Sequence, residues 1–502
     1  MAASTHHLAV LAEQAQQRTG PDHEGLWFEG RWFTSGHLFD RARRLAGGLV
    51  AQGVRPGDRI VVMMATTPDV GVIYQACWRA GAVATPVIFL LPPPELRHVL
   101  LDARPRLAIT TEELLPTVRQ AAEGLDVGIV VDGEAVGTTP LAELASADPV
   151  GIVDRADDDL AALLYTGGTT GRSKGVELGH AALWHAGRSG YEATADDHLT
   201  RTAMPLPLSH SFGLLATVTG MHHPEPGIAA LMRWFDPTGF LDIVEEHRIE
   251  QATLVPTMLR LLLDLSLEER DLSSLVRVVC GSAPLPREVL EAFERRVPGV
   301  TVCEGYGLTE TAAAATVNRR HDRRVGTVGQ PLPGVELRIV DDHGEEVARG
   351  GPGEVLTRSR SNARGYRGAP RETAATFVDG WVRTGDIGSV GPDGHLTILD
   401  RRKDVILRNG FNIYPRDVEE ALTEHGAVAA AAVVGRADEA VGEEIVAFVQ
   451  PEPGAEIDTA ELTAWARQRL GPKSCPRELH TLDALPLTPV LKIDRKALRE
   501  RG

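Results

Sequence analysis

No apolar run in this 502-residue chain approaches the length of a membrane span, and no basic segment at the N-terminus leads into an apolar one. Positive charge is also scarce, with 52 Lys and Arg against 69 Asp and Glu, a net charge of −17. A surface for nucleic acid or anionic lipid needs a basic face, so neither nucleic acid nor a stable membrane association is expected. Any polyphosphate must instead be gripped by local groups, against the repulsion of the whole molecule. Cysteine is sparse as well. Cys77, Cys280, Cys303 and Cys475 show neither metal nor disulfide spacing, and Cys280 and Cys303 stand in apolar runs that read as core. Internal repeats and low-complexity tracts are missing. What is left is an ordinary globular composition, 43% hydrophobic and 24% charged, long enough for two or more cores. A soluble cytoplasmic protein is expected.

The pattern along the chain is that of an α/β protein. Arg59–Met63 reads as a buried strand, a helix follows from Pro68 to Ala80 with Gly81 at its end, and Val83–Val87 reads as the next strand. This βαβ unit implies a parallel sheet. The pattern recurs with a strand at Gln251–Val255, a helix from Pro256 to Leu265 and a strand at Val276–Cys280. A helix from Pro286 to Arg296 then leads to a strand at Val300–Cys303. Past Gly326 short alternating strands take over, with Val335–Val340 and Glu345–Val347 flanking a hairpin turn at Asp341–Gly344. A charged run at Leu399–Asp404 marks a boundary. The expected layout is a large N-terminal domain over 1–400, made of layered βαβ-type subdomains plus a β-rich subdomain, and a small mobile α+β domain over 401–502. In the latter a helix is expected from Asp458 or Thr459 to Gly471.

Directly after the apolar run Leu160–Leu164 comes Tyr165-Thr166-Gly167-Gly168-Thr169-Thr170-Gly171-Arg172-Ser173-Lys174-Gly175. Small and hydroxyl-bearing residues let a loop turn its N–H groups and hydroxyls onto one anion, and glycine permits the close approach. Lys174 adds a point charge suited to phosphate. The spacing is not that of a P-loop, since Gly175 comes straight after the lysine.

Further on stand Gly281-Ser282-Ala283-Pro284, then Glu304-Gly305-Tyr306-Gly307-Leu308-Thr309-Glu310-Thr311, then Arg383-Thr384-Gly385-Asp386, Asp400-Arg401-Arg402-Lys403-Asp404 and Lys492-Ile493-Asp494-Arg495. In this order and at these intervals the set resembles the adenylate-forming (AMP-binding) superfamily of acyl-CoA synthetases, peptide-synthetase adenylation domains and luciferases. The resemblance runs from about residue 57 to Lys492. It implies ATP and Mg²⁺ as cofactors and coenzyme A as acceptor.

The resemblance also distributes roles. Tyr306 would stack on adenine, with Gly281, Ser282 and Ala283 closing the other side, Gly305 and Gly307 flanking the ring, and Glu304 accepting from the adenine amino group. Thr309 would bond the α-phosphate and Glu310 would hold Mg²⁺. Thr166, Gly167, Gly168, Thr169, Thr170 and Lys174 would cradle phosphate. Asp386 would hold the ribose hydroxyls with Arg401 nearby, His210 would stand at the mouth of the acyl pocket, and Lys403 would be the pivot of a hinge near 400–404. Lys492 would be the catalytic lysine, since attack of a carboxylate on phosphorus builds negative charge that a fixed cation stabilises. Three positions depart from the family pattern: Leu491 where Gly is common, Lys473-Ser474 where an aromatic precedes Lys, and Gly167 where Ser is frequent.

The residues after His210 narrow the choice of acid. From Gly213 to Pro224 no carboxylate stands ready to pair a substrate ammonium, and Leu214, Leu215, Ala216, Val218 and Met221 are apolar or small. Asp236 reads as a helix start instead. An unpaired ammonium would be costly in such a pocket, so a fatty or aryl acid is expected. The run Asn409-Gly410-Phe411-Asn412-Ile413-Tyr414-Pro415 resembles the form in medium- and long-chain acyl-CoA synthetases and leans toward a fatty acid. Two other readings are a stand-alone enzyme loading an acyl carrier protein and a non-catalytic nucleotide-binding relative. The intact set of Lys492, Glu310 and Asp386 speaks against the latter.

Overall fold

Two large sheets grow from the strand–helix–strand units. The computed structural model describes residues 6–166, 173–195, 198–438, 440–487 and 493–501. One eight-stranded sheet runs in the order Gly365–Tyr366, Lys174–Gly179, Leu160–Thr166, Val83–Pro86, Arg59–Met63, Leu107–Thr111, Gly128–Asp132 and Thr139–Pro140. Its middle is parallel, as Arg59–Met63 pairs in parallel with both Val83–Pro86 and Leu107–Thr111. The second sheet, nine-stranded, runs Gln330–Pro331, Thr316–Val317, Thr301–Tyr306, Arg277–Cys280, Gln251–Leu254, Arg201–Met204, Ile228–Leu231, Glu24–Phe28 and Arg31–Thr34. Proline opens the helices Pro68–Arg79, Pro93–Ala103, Pro237–Glu246 and Pro256–Leu263, where its missing N–H costs nothing. Asp236 caps the third of these through Gly239 N–H at 2.6 Å. The largest apolar cluster packs around Trp78, Tyr74, Phe240 and Phe293, and a second one, with Val61, Met63, Leu96 and Val99, joins the first sheet to the helix Pro93–Ala103.

The chain divides into two compact units. One comprises Met1–Leu285, Val289–Leu337 and Thr357–Val382, and the other Pro286–Glu288, Arg338–Leu356 and Arg383–Gly502. The mixed α/β architecture, a large first part and a smaller α+β second part, is the expected one. Compactness groups the β-rich segments 338–356 and 383–400 with the C-terminal part, whereas a pivot is set by where the backbone can turn.

The second unit holds a sheet ordered Phe411–Ile413, Ile406–Arg408, Gly442–Pro451 and Val428–Asp438, with Glu478–Thr481 added in parallel to Gly442–Pro451. Asn409 and Gly410, at φ 52° and 75°, make the tight turn between the first two strands. Two local expectations shift. The turn at Asp341–Gly344 forms, with Asp341 N–H donating to Glu345 O at 2.9 Å, but Glu345–Val347 contributes only a bridge between Val340 and Glu346. Its place beside Val340 goes to Gly353–Arg358, since Gly353 lets the backbones meet where a Cβ would lie 2.4 Å from Val340 O. The helix capped by Asp458 runs Thr459–Ser474, and it breaks at Gly471, φ 71° and ψ 174°, before Pro472. The expected stop is therefore a kink with a short extra turn beyond it.

The first helix, Leu8–Thr19, is anchored by neutral histidines. His7 Nδ1 accepts from Ala9 N–H at 3.1 Å and its Nε2 lies 3.2 Å from Val153 O. His180 stacks on it at 4.3 Å and accepts from Leu8 N–H through Nδ1 at 3.3 Å. Burial lowers the pKa of His7 and pushes that of His180 well down, and it brings His222 to about 4. An accepting nitrogen cannot also carry a proton. Because these folded-state values lie below the ordinary 6.5, the unfolded chain binds more protons as pH falls. The histidines' contribution to stability is therefore fully present above 6.5 and declines as pH drops through 6.5 towards 4. The thermal midpoint should fall steadily over that window; a midpoint that does not change across it would contradict the neutral-histidine anchor.

Candidate active site

The strands flanking the Gly- and Thr-rich run pair antiparallel, with Thr166 opposite Lys174. A Cβ at Gly175 would press on the Leu163 side chain at 3.0 Å and on the Tyr165 ring at 3.2 Å, whose hydroxyl donates to Asp102 Oδ2 at 2.6 Å. Gly167, Gly168, Thr169 and Thr170 lie outside the described residues, as does Lys492. Lys174 is half-buried, with its Nζ 5.1 Å from the centroid of the Tyr366 ring. No carboxylate pairs with it among the described residues. The Tyr366 hydroxyl donates to Glu310 Oε1 at 2.6 Å. Burial, and then the Glu310 charge, raise the phenol's pKa, so it remains a donor. The structure thus brings Thr166, Lys174 and Glu310 together through a tyrosine that no motif in the sequence had marked.

Tyr306 ends the strand Thr301–Tyr306, which lies parallel to Arg277–Cys280 with Glu304 opposite Cys280. Glu304 is buried and Tyr306 half-buried. At the neighbouring strand end, Gly281 approaches Gly305 so closely that a Cβ would lie 2.9 Å from its carbonyl oxygen. Ser282 is exposed and held at φ 71°, a left-handed conformation unusual for a residue with a side chain. Past Tyr306 the chain winds back on itself. Thr309–Thr311 form one short turn, the Thr311 hydroxyl bonding Leu308 N–H and O at 3.0 Å each. Ala312 and Ala313 come next at φ 53° and 79°. Gly307 makes room for this loop, since a Cβ would lie 2.3 Å from Ala313 O. Thr309 and Glu310 therefore sit on a strained, tightly specified turn directly after the tyrosine, and backbone strain of this kind clusters at functional sites. A hard carboxylate oxygen on such a turn fits Mg²⁺.

His210 caps the helix Ser211–Met221, its Nδ1 accepting from Phe212 N–H at 3.3 Å. Gly213 lets this helix start against the preceding loop, where a Cβ would lie 2.3 Å from Pro207 O. The helix faces are sorted in a way the sequence did not show. Leu214, Leu215, Val218 and Met221 are buried in the main core, so they do not form an open pocket wall. Phe212 and Ala216 are the half-buried apolar residues. The Phe212 ring stands by Gly281, 3.8 Å from where a Cβ would be. The apolar side chains of this helix that keep exposed surface are thus Phe212 and Ala216, and the helix carries no charge at all.

In the second unit Asp386 and Arg401 are cross-strand partners, with Arg401 Nε 3.2 Å from Asp386 Oδ1. Asp386 is buried and Arg401 exposed. Lys403 is exposed between two anchored neighbours. Arg402 bonds Glu354 and Asp342, each at 2.9 Å, and Asp404 is bonded by Arg499 at 2.6 Å. Among the described residues no cluster of His, Cys, Asp and Glu could hold a metal ion by protein ligands alone, and no helix is long and apolar enough to cross a membrane. The four cysteines are buried.

Comparison with known proteins agrees with this geometry. Residues 11–367 match the family described as AMP-binding enzyme, and residues 417–492 match the AMP-binding enzyme C-terminal domain. A feruloyl-CoA synthase of an Amycolatopsis species is 35% identical over 96% of this chain and 97% of its own. A long-chain-fatty-acid–CoA ligase of Bacillus subtilis is 32% identical over 96% and 92%. Among solved structures, the amide bond synthetase McbA from Marinactinospora thermotolerans superposes with a TM-score of 0.89 at 29% identity, covering 98% of this chain and 99% of McbA. With the phosphate hairpin, the Tyr306 turn and both family segments in one chain, this protein belongs to the family of AMP-binding enzymes.

Proposed function

We propose that the protein is an AMP-forming acid–thiol ligase that activates an apolar carboxylic acid with ATP and passes the acyl group to coenzyme A. The observation that carries this reading is the convergence on Tyr366 of Lys174 and of Glu310, the latter on the turn that follows Tyr306. A substrate carboxylate oxygen attacks the α-phosphorus, the bond to pyrophosphate breaks, and acyl-AMP forms. The thiol then attacks the acyl carbonyl carbon and AMP leaves. In the first step Thr309 bonds an α-phosphate oxygen, Lys174 and the hairpin hold the departing phosphates, and Lys492 stabilises the charge that develops at phosphorus. Tyr306 packs on adenine, His210 stands beside the acid, and Asp386 with Arg401 holds the ribose. Glu310 is the residue that would hold Mg²⁺, which would supply a hard cation to offset phosphate charge.

The acid is apolar because the helix after His210 offers an ammonium no partner. Both alkyl and aryl acids meet that condition: the run Asn409–Pro415 leans to the first, and the relative that acts on ferulate supports the second. The deciding experiment is a panel of hydroxycinnamates, benzoates and medium- and long-chain fatty acids, read as acid-dependent pyrophosphate release. Thioester formation is then compared with free coenzyme A and with a phosphopantetheinylated carrier protein. Failure of every acid to release pyrophosphate would sink the reading, and transfer to the carrier alone would replace the acceptor.

Lys492 acts in activation only, on this proposal. Lys492→Ala should lose on the order of 10²–10³-fold in acyl-AMP formation, the scale for removing one preorganised charge-stabilising group. Given pre-formed acyl-AMP and coenzyme A, the same variant should stay close to wild type. Equal damage to both half-reactions would make the lysine structural.

The pivot between the two half-reactions is assigned to Lys403, within the hinge 400–404 that separates the catalytic domains 1–400 and 401–502. Its exposure fits, since a pivot residue must turn without unpacking a core. Proline fixes φ near about −65°, so Lys403→Pro should still make acyl-AMP while transferring it slowly to coenzyme A. Matching losses in the two steps, or none in either, would place the pivot elsewhere.

A further inference from the structure

Tyr366 is set into the fold from three sides. Its short strand pairs antiparallel with the strand that leaves the phosphate hairpin, Tyr366 opposite Val176 and Gly365 opposite Glu177. Flanking bonds extend that seam: Arg364 N–H donates to Glu177 O at 2.9 Å and Arg367 N–H to Gly175 O at 2.8 Å. On the other edge Tyr366 N–H donates to Thr373 Oγ1 at 2.9 Å. Gly365, at φ 152°, permits this approach, because a Cβ would lie 2.6 Å from the Thr373 side chain. The Tyr366 ring is fixed by Phe377 in an edge contact at 5.6 Å. Slightly earlier in the same segment, Ala363 N–H donates to the backbone oxygen of Glu310 at 2.8 Å.

The consequence is that segment 363–367 ties two separate motifs together. Its backbone holds the hairpin strand and the Glu310 turn, and one side chain reaches both functional groups. The ring face receives the Lys174 ammonium while the hydroxyl binds one oxygen of the Glu310 carboxylate. A carboxylate left to itself rotates among several orientations, and one held by a short hydrogen bond does not. Groups that orient metal ligands in this way typically contribute roughly 10–100-fold in metal affinity.

We propose that Tyr366 is a positioning residue that presents the Glu310 carboxylate to the metal of the bound metal–nucleotide complex, and that it couples that carboxylate to Lys174. The inference rests on the assignment of Glu310 above. Tyr366→Phe is the informative variant because it deletes the hydroxyl and keeps the ring under Lys174. Mn²⁺ serves as the probe, its binding to the ATP-loaded enzyme followed by electron paramagnetic resonance without any acid present. Tyr366→Phe should weaken Mn²⁺ binding about 10-fold while metal-free ATP affinity and the thermal midpoint stay near wild type. Tyr366→Leu, which removes the ring as well, should also weaken metal-free ATP binding through Lys174. In a Glu310→Ala background, Tyr366→Phe should add no further loss, since the bond it removes is already gone. If Glu310→Ala binds Mn²⁺ like wild type, the assignment of Glu310 fails and takes the inference with it. If Glu310→Ala is impaired but Tyr366→Phe is not, or if the two losses simply add, the positioning role alone is overturned.

Discussion

A chain with a net charge of −17 has to hold a polyanion, and the candidate site answers that constraint within a few side chains. Water and salt screen the distant negative charge over roughly 8–10 Å, so the immediate neighbours decide. A lone lysine beside a glutamate would lose part of its attraction for phosphate to that carboxylate. The structure separates the two with a tyrosine ring, which offers the ammonium a negative π-face and the carboxylate a hydrogen-bond donor. Each charge is oriented without cancelling the other. The raised phenol pKa belongs to the same arrangement, because a deprotonated Tyr366 would repel the carboxylate it now binds.

The backbone around this set obeys steric demands that the sequence announces only in part. Glycines at 281 and 307 let strand ends and loop approach below normal side-chain distances, and a sequence shows glycines plainly. Ser282, Ala312 and Ala313 adopt left-handed conformations with no such signal. Strain of this kind costs on the order of 1–3 kcal/mol per residue and survives only where the surroundings enforce it. Here the enforcement is visible as the paired Thr311 bonds and the return of the chain past Gly307.

Local pattern made the strand Arg59–Met63 and the proline-started helices legible, because alternation, periodicity and caps lie within a few residues of one another. The motif residues were legible through their order. The long-range contacts stayed hidden. Tyr366 stands 56 positions from Glu310, and the dipeptide Gly365-Tyr366 looks like any other glycine next to an aromatic. A Gly-Tyr step flanked by arginines was the available hint, and only tertiary pairing gives it meaning. The sorting of the helix after His210 was hidden for a related reason. With apolar residues on every face, periodicity does not say which ones meet the core, and burial assigns Leu214 and Val218 to it and leaves Phe212 and Ala216 at its margin.

The same long-range contacts bear on how freely a pivot at Lys403 could turn. Arg402 is tied back to Glu354 and Asp342, and Asp404 is tied forward to Arg499, so Lys403 is the link between two anchors. Two bonds made by Arg416 bridge the link, however, beside the backbone bonds from Asp404 and Val405 N–H to Arg401 O at 2.8 and 3.1 Å. Asp400 Oδ2 accepts from Arg416 N–H at 3.0 Å, and Arg416 Nη1 donates to Ile398 O at 2.8 Å. A rotation at Lys403 would have to break all of these. Bonds to charged groups contribute about 1.5–3 kcal/mol each, so the pair makes a latch of a few kcal/mol. A stabilisation of that size is large enough to favour one arrangement at rest and small enough for differential ligand binding to reverse it. The latch sits on Asp400, which is buried and whose carboxyl pKa burial raises to about 6. Asp400 is thus a residue whose charge is held at a cost, and the N–H bonds from Arg416 and Arg401 offset part of that cost by stabilising the carboxylate.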